Sequence, residues 1–269
     1  MPLTTETVKY EVKDRVAWIT LNRPQAMNAL NAEIQHGIGE ATRMASEDDD
    51  VLVIVVIGEG GRAFCAGADL KEMSAGDFGA TTAAQWTIRG MDELYECKKA
   101  IIAAIDGYCL AGGFQLSSRC DIRIATEKSR FGMPEARRSL TAVGIIDTAE
   151  YFIPVGEAKW ILMTGSHMTA QRAYDIGFIQ ALVPDRDALI EHAEWLANEI
   201  KQCAPLAVQT IKTVIDEGRN LPTPPTGVRP TEHLRQVAQK AYDRVNTSED
   251  RLEGPKAFAE KRNPVWKNR

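Results

Sequence analysis

The sequence has few of the features that mark secreted or membrane-spanning proteins. Its five cysteines are scattered among 269 residues with no CxxC spacing, which argues against a disulfide framework and for a reducing compartment. No apolar run approaches the roughly 18 residues that a membrane-spanning helix needs. The opening stretch MPLTTETVKYEVKD contains no apolar core of a secretory signal. We therefore expect a cytoplasmic protein with no membrane partner.

Basic residues are also fewer than acidic residues. The chain has 32 basic against 37 acidic residues, a formal net charge of −5. A nucleic-acid-binding protein normally carries a basic surface, so we expect no nucleic-acid partner. Aromatic residues are only 7% of the chain, but 44% of all residues are hydrophobic, and that fraction is enough for a large core.

Several catalytic motifs are missing as well. The glycine run GEGG at 58–61 does not match GxGxxG, and GxxxxGK[ST], HExxH and GxSxG do not occur. The four histidines are isolated, so we expect no metal site. Cys65 lies in a glycine-rich loop, but no histidine stands near it in sequence to generate a thiolate. We interpret it as a buried thiol and not as a nucleophile.

The periodicity that is present predicts an α/β fold. Residues 8–12 and 16–21 read as a hairpin, and Asn31 can cap the helix that follows. The unbroken apolar runs at 51–57 and 101–105 are typical of strands buried on both faces, and a short strand is expected at 122–125. Helical periodicity dominates beyond about residue 156. We predict an α/β core over residues 1–200 and a helical C-terminal region over 201–269.

A glycine-rich loop follows each of the two buried strands, at 58–70 and at 107–113. Glycine and alanine let the backbone approach a ligand, and a loop leading into a helix presents free N–H groups. Two such loops after neighbouring strands can direct two donors at one carbonyl oxygen, which would form an oxyanion hole. A close-packed turn explains the same glycines, so the pattern alone leaves both interpretations open.

Longer motifs carry a resemblance to a known family. They are CAGADLKEM at 65–73, AIDGYCLAGGFQL at 104–116, CDIRIA at 120–125 and FGMPE at 131–135. LNRP at 21–24 with NAL at 28–30, MTG at 163–165 and AFAEKR at 257–262 follow the same family in order. The chain resembles the crotonase (enoyl-CoA hydratase/isomerase) superfamily over nearly its whole length.

This resemblance implies a spiral of ββα turns, a helical C-terminal region that assembles trimers or hexamers, and an acyl-CoA thioester substrate. It implies no cofactor beyond the CoA moiety. The backbone N–H groups of Ala66 and Gly112 fall on the family positions that hold the thioester oxygen. The residues expected to bind CoA or the substrate are Arg23, Ala66, Gly67, Ala68, Asp69, Lys71, Gly113, Phe258 and Lys261.

The acid/base positions depart from the family pattern. Family hydratases carry two glutamates, and here the first position is Gln115 and the second is Glu135. A glutamine amide cannot act as a general base, although it can orient a water or a substrate group. The apolar residues before Glu135 suggest burial, which would raise its pKa into a useful range. The competing interpretation is an ion pair between Glu135 and Arg123, Arg137 or Arg138.

A second departure follows at residues 139–149, where relatives are richer in glycine and this chain has larger apolar residues. Asp147 in this stretch can supply a second carboxylate or cap a helix. The leading hypothesis is an enzyme that stabilises an acyl-CoA enolate, with Glu135 as the sole acid/base group. The alternatives are a single-glutamate hydratase-lyase of an aromatic enoyl-CoA and a protein that binds CoA thioesters without catalysis.

Overall fold

The computed structural model of the chain describes residues 3–75, 91–140, 153–220 and 231–269. Contacts divide the chain into two units. The first comprises Met1–Cys97 with Ile101–Trp195, and the second comprises Lys98–Ala100 with Leu196–Arg269. The second unit thus begins close to residue 200, where the sequence predicts the helical region. The assembly role of this region stays a prediction.

The described residues form ten strands and ten α-helices, labelled here in chain order. The strands are β1 Val8–Lys13, β2 Val16–Leu21, β3 Val53–Gly58, β4 Ala63–Cys65, β5 Ala100–Ile105, β6 Tyr108–Leu110, β7 Ile122–Thr126, β8 Arg130–Gly132, β9 His167–Thr169 and β10 Ala181–Val183. The helices are α1 Ala32–Glu47, α2 Leu70–Ala75, α3 Met91–Glu96, α4 Gly112–Ser118, α5 Val155–Thr164, α6 Ala170–Asp175, α7 Arg186–Gln202, α8 Pro205–Asn220, α9 Thr231–Asn246 and α10 Asp250–Glu260.

The larger sheet has the strand order β1-β2-β3-β5-β7-β10. The first two strands form the predicted antiparallel hairpin, in which Val8 pairs with Leu21. β2 runs parallel to β3, and β7 runs parallel to both β5 and β10. Every residue of β3 and of β5 is buried. This burial explains why both strands are unbroken apolar runs, and it confirms the α/β prediction.

The smaller sheet has the order β4-β6-β8-β9, and each of its strands is only three residues long. Sequence reasoning assigned β4 and β6 to glycine loops. That assignment was wrong because three residues are too few to show a period of two. After residue 156 helices dominate the described residues, as predicted, and β9 and β10 are short. Burial against neighbouring elements, and not local pattern, makes these segments extended.

Helix α1 begins where the sequence predicts. The side chain of Asn31 accepts a hydrogen bond from the Ile34 N–H at 3.0 Å, which satisfies one free donor of the first turn. Ile34, Ile38 and Ala41 share the buried face. The helices after residue 153 also follow the predicted periodicity. Asp147 and its neighbours at 141–149 lie outside the described residues.

Candidate active site

Three segments that carry the predicted site residues leave the same edge of the smaller sheet. β4 runs parallel to β6, with Ala63 opposite Tyr108, and β6 runs parallel to β8, with Leu110 opposite Gly132. The segments after these strands are residues 66–69, 111–115 and 133–135. Because parallel strands end on one side, this topology places the two glycine loops next to the turn that contains Glu135.

Glycine is needed where the first two segments meet. A Cβ atom on Gly67 would lie 2.5 Å from the Ala111 Cβ and 3.2 Å from the Gly112 nitrogen. A Cβ on Gly113 would lie 2.1 Å from the Cys65 carbonyl oxygen, which is a backbone atom. The start of α4 therefore packs directly on the end of β4, and side chains at these positions would push the two loops apart.

Ala111 turns the chain from β6 into α4 through a conformation that L-residues rarely adopt. Its φ is 52° and its ψ is −122°. The turn is held by a hydrogen bond of 2.9 Å from the Ala111 N–H to the Gly132 carbonyl. It makes Gly112 the first residue of α4, and the N–H groups of a first helical turn have no partner within the helix. The Gly112 N–H is therefore a candidate donor to a ligand.

The donor predicted at Ala66 is wrong. The Ala66 N–H donates to the Met27 carbonyl at 3.1 Å, so an internal acceptor already occupies it. Ala68 is placed differently, because it forms a parallel bridge with Leu30. The bonds of this bridge use the Gly67 carbonyl and the Asp69 N–H, at 2.8 and 3.0 Å. The N–H of Ala68 itself therefore points away from Leu30, and within the described ranges it has no acceptor.

Glu135 lies in a 3₁₀ turn, Pro134–Arg138, directly after β8. The side chain is half-buried, and its Oε2 atom is buried without a hydrogen-bond partner among the described residues. Burial raises the pKa of this carboxyl above its ordinary value. A carboxyl group whose pKa is raised by burial is suited to take up and release a proton.

The competing ion-pair interpretation of Glu135 finds no support in the described part of the chain. Arg123 is buried and donates to the carbonyls of Phe178 and Cys120, each at 2.6 Å. Arg137 donates to the Thr164 carbonyl at 2.8 Å. No ion pair of Glu135 is present among the described residues.

Gln115 is half-buried on α4, one turn after Gly112. Its backbone N–H donates to the Ala111 carbonyl at 3.1 Å, which continues the helix from the strained turn. Gln115 and Glu135 therefore follow adjacent parallel strands on the same sheet edge. The role of the Gln115 amide in orienting water or substrate stays a prediction.

Arg23 and Asp69 form an ion pair with each other, so the Arg23 guanidinium is not left free to bind an anion. Arg23 Nη2 donates to Asp69 Oδ2 at 2.9 Å, and both side chains are largely buried. Arg23 Nη1 donates to the Ala29 carbonyl at 2.6 Å. The charge of Arg23 is therefore already compensated by a carboxylate, which argues against the predicted role of Arg23 in binding CoA. The other cation expected near this loop, Lys71, is exposed at the start of α2.

The remaining predicted CoA residues lie in the second unit. Phe258, on α10, is 88% exposed, which is unusual for a large apolar side chain. Lys261 ends α10 with a left-handed φ of 52°. Their part in CoA binding stays a prediction. In the first unit, by contrast, Gly67, Ala68 and Gly113 are brought together with Gly112 at one place.

Cys65 has no nucleophilic character in this structure. It is fully buried, and burial raises the pKa of its thiol to about 12. A thiol with such a pKa is essentially undissociated at neutral pH. Among the described residues, no group of three or more His, Cys, Asp or Glu side chains is arranged to hold a metal ion. Within the same ranges, no helix is long and apolar enough to cross a membrane.

Comparison with known proteins identifies the family. The family model described as "Enoyl-CoA hydratase/isomerase" matches residues 11–269. The chain belongs to the enoyl-CoA hydratase/isomerase family. It is therefore an enzyme of the crotonase superfamily, as its motifs indicate, and the α/β fold with a helical C-terminal region is the crotonase fold.

Individual members of the enoyl-CoA hydratase/isomerase family are similar along their whole length. A carnitinyl-CoA dehydratase of Proteus mirabilis is 35% identical and covers 98% of this chain and 100% of its own. One of Salmonella typhimurium is 34% identical, over 93% of this chain and 94% of its own. The crystal structure of an enoyl-CoA hydratase from Mycobacterium tuberculosis superposes with a TM-score of 0.87 at 34% identity, covering 98% of this chain and 100% of that one.

Sequence reasoning missed the residues that shape the first loop of this enoyl-CoA hydratase/isomerase fold. Asn28 is fully buried, and its side-chain amide donates to the carbonyls of Ala63 at 2.8 Å and of Glu59 at 3.1 Å. Met27 and Asn28 both have a left-handed φ of 54°. The NAL motif was visible in the sequence, but its contacts span more than thirty residues and have no local signal.

Proposed function

We propose that this enzyme transfers a proton at the α-carbon of an acyl-CoA thioester, with Glu135 as the sole acid/base group. The observation that carries the proposal is the Glu135 carboxylate: one of its oxygens is buried with no partner in the described part of the chain, and its pKa is raised by burial. Such a group accepts a proton at neutral pH and returns it readily. No cofactor beyond the CoA moiety of the substrate is needed for this chemistry.

In the proposed mechanism, the N–H groups of Ala68 and Gly112 donate to the thioester oxygen. Their segments pack against each other at Gly67, which supports a common target. As Glu135 removes the α-proton, the electron pair of the C–H bond moves into the thioester and charge develops on its oxygen. Two fixed donors stabilise that enolate, each by roughly 10²–10³ in rate. The proton on Glu135 then returns to the substrate.

The position to which the proton returns defines the reaction. Return to the γ-carbon of a 3-enoyl thioester moves the double bond and leaves an isomerised 2-enoyl thioester. A single glutamate suffices for this step, because the carboxylate that takes the proton also delivers it. Gln115 supports this version, since an amide at the other acid/base position supplies no second base. We therefore favour double-bond isomerisation.

A second candidate is the addition or elimination of water across the α,β bond. The names of the carnitinyl-CoA dehydratases favour it, since those relatives are named for a dehydration. In this version Glu135 takes a proton from water as the oxygen adds to the β-carbon, and it then protonates the α-carbon of the enolate. Gln115 would orient the water. A single-glutamate hydratase-lyase acting on an aromatic enoyl-CoA is the same chemistry with a larger acyl group.

The deciding experiment incubates the purified protein with 2-enoyl-, 3-enoyl-, 3-hydroxyacyl- and cinnamoyl-CoA and identifies the product thioesters. We expect conversion of 3-enoyl-CoA, and we expect loss of that conversion in Glu135→Gln. Conversion of only the 3-hydroxyacyl or cinnamoyl thioester would favour the second candidate. Tight acyl-CoA binding without α-hydrogen exchange in D₂O would overturn the proposal and leave a CoA-thioester binding protein.

We also propose an assembly and a location for this enzyme. The nearly complete exposure of Phe258 on α10 supports a homotrimer or a hexamer in which a neighbouring subunit covers this side chain. All five cysteines are free thiols, and four of them are buried, which supports a reducing cytoplasm. Light scattering at micromolar protein concentration would test the assembly directly.

A further inference from the structure

The segment that carries Ala68 is fixed from two sides. Leu30 holds its backbone through the bridge bonds to Gly67 and Asp69. The direction of the Ala68 N–H is therefore set by where residues 28–30 lie. A donor in an oxyanion hole works only when it is fixed before the reaction, so the groups that hold residues 28–30 act on the donor indirectly.

Arg23 holds residues 28–30. Its guanidinium donates to the Ala29 carbonyl at 2.6 Å, and its backbone N–H donates to Asn28 Oδ1 at 2.9 Å. The Asn28 amide in turn donates to the carbonyl of Ala63, the first residue of β4. One arginine thus connects the opening NRP motif to the segment that aligns Ala68.

Asp69 holds the other side of Ala68. Its Oδ2 accepts from the Arg23 guanidinium at 2.9 Å, while its Oδ1 accepts from the N–H groups of Lys71 at 3.0 Å and Glu72 at 3.4 Å at the start of α2. Burial alone would raise the pKa of Asp69, but the bonds from Arg23 and from these two N–H groups lower it. The carboxylate is therefore ionised at neutral pH and pairs with the guanidinium.

The two side chains are 16% and 14% exposed, so water screens their attraction less than it screens a surface pair. The planar guanidinium reaches the Asp69 carboxylate and the Ala29 carbonyl at once, which a lysine ammonium cannot do with the same geometry. The pair therefore fixes the distance between residue 29 and residue 69, and Ala68 lies between the two bonds of the bridge.

We propose that the Arg23–Asp69 pair is a positioning device that aims the Ala68 N–H at the thioester oxygen. This inference deepens the proposed function and rests on it. The pair touches no reacting atom, so its loss weakens stabilisation of the enolate and leaves binding of the CoA moiety largely intact. A displaced donor costs rate in the chemical step, and a shift of about 1 Å can cost 10²-fold.

The test uses Asp69→Asn, which keeps the shape and can still cap α2, and Arg23→Lys, which keeps the charge. We expect each variant to lower kcat about 10- to 100-fold. We expect KM to change by less than about threefold, because ground-state binding is retained. If the pair acts as one unit, the double variant falls no further than the worse single variant.

The matched control is Arg186→Lys. Arg186 also bridges a carbonyl and a carboxylate, donating to Gly58 at 3.0 Å and to Asp106 at 3.5 Å. We expect this variant to lower the melting temperature, with kcat unchanged. An equal loss of kcat in the control would show that general destabilisation explains the result, and it would overturn the inference.

A spectroscopic readout separates this inference from the proposed function. The probe is the saturated acyl-CoA that binds tightest in a series from butyryl- to palmitoyl-CoA, ¹³C-labelled at the thioester carbonyl. We expect the carbonyl stretch to move to lower frequency on the wild-type enzyme and to move less on Asp69→Asn and Arg23→Lys. A wild-type shift that both variants retain would overturn the inference alone. No wild-type shift and no α-hydrogen exchange would overturn the proposed function.

Discussion

Replacing Glu135 by glutamine has opposite consequences for activity and for stability. Glutamine has nearly the same shape as glutamate but no basic group. Loss of a general acid/base group typically costs 10²–10⁴ in rate, which is about 2.7–5.4 kcal/mol of transition-state free energy. With one carboxylate assigned to the acid/base steps, Glu135→Gln should show a loss near the upper end of this range.

The folded protein should nevertheless become more stable. Oε2 of Glu135 is buried and has no hydrogen-bond partner within the described ranges, and burial raises the pKa of the group. An unsatisfied buried polar group costs about 1–3 kcal/mol, and more when it is charged. Because Glu135 is only half-buried, we expect a gain of about 1 kcal/mol in the free energy of unfolding. In a chain of this length such a gain raises the melting temperature by about 2 °C.

The gain should depend on pH in a defined direction. A pKa that is raised in the folded state means that the folded protein binds more protons than the unfolded one between the two pKa values. The favourable contribution of the protonated group is complete below the unfolded pKa, near 4.3, and is lost as pH rises through the higher folded pKa. The variant and the wild type should therefore differ most at neutral pH and converge in acid.

Two measurements test this reasoning. Turnover of the best thioester should fall in the wild type as pH decreases through the folded pKa of Glu135, because only the carboxylate is a base. Denaturant unfolding of both proteins should then be compared at neutral pH and near pH 4. A variant that is less stable than the wild type at neutral pH, or that keeps full turnover, would refute the role assigned to Glu135.

Three further predictions concern the loops. Gly113→Ala should be strongly destabilised or insoluble, because the new Cβ would lie 2.1 Å from a backbone oxygen. In the control Gly177→Ala the new Cβ has nothing within 4 Å, but φ is +78°. Its free energy of unfolding, measured with denaturant, should fall by only about 1 kcal/mol. Equal losses would contradict the packing argument. Ala111→Gly should raise the free energy of unfolding by about 1 kcal/mol, because glycine removes the strain at φ 52°, and activity should be retained. A lower free energy of unfolding would show that the packing of the Ala111 methyl group outweighs the strain. In the native protein iodoacetamide should modify Cys203, the exposed cysteine, and spare Cys65, as peptide mass spectrometry would show, and rapid labelling of Cys65 would contradict its burial.

Much of the larger sheet was predictable from the sequence. The second strand of the hairpin, β2, alternates in burial over most of its length. The apolar runs at 51–57 and 101–105 are long enough to identify strands without knowledge of their neighbours. Asn31 and the periodicity of the following helix gave the start of α1. Helices α7, α8 and α9 are likewise 16 or 17 residues long and show a clear period. In each case the signal is local and repeated several times.

The smaller sheet, and with it the placement of the site, was not predictable in this way. β4, β6 and β8 are too short to show a pattern, and only pairing with one another makes them strands. The donor at 66–69 was misassigned to Ala66, because sequence does not show which N–H groups are already bonded within the protein. That choice depends on Met27 and Leu30, which lie almost forty residues earlier.

The sequence by itself determined the family, the α/β class, the glutamate at position 135 and the glutamine at 115, since these depend on residue identity and order. The tertiary structure decided which groups are available for chemistry. In the folded chain the Ala66 N–H is bonded to Met27, while the Ala68 N–H points away from Leu30. Arg23 is paired with Asp69. One oxygen of Glu135 is buried with no partner among the described residues. Hydrogen-bond satisfaction and burial are properties of the packed chain, so residues distant in sequence had to come together before these roles could be assigned.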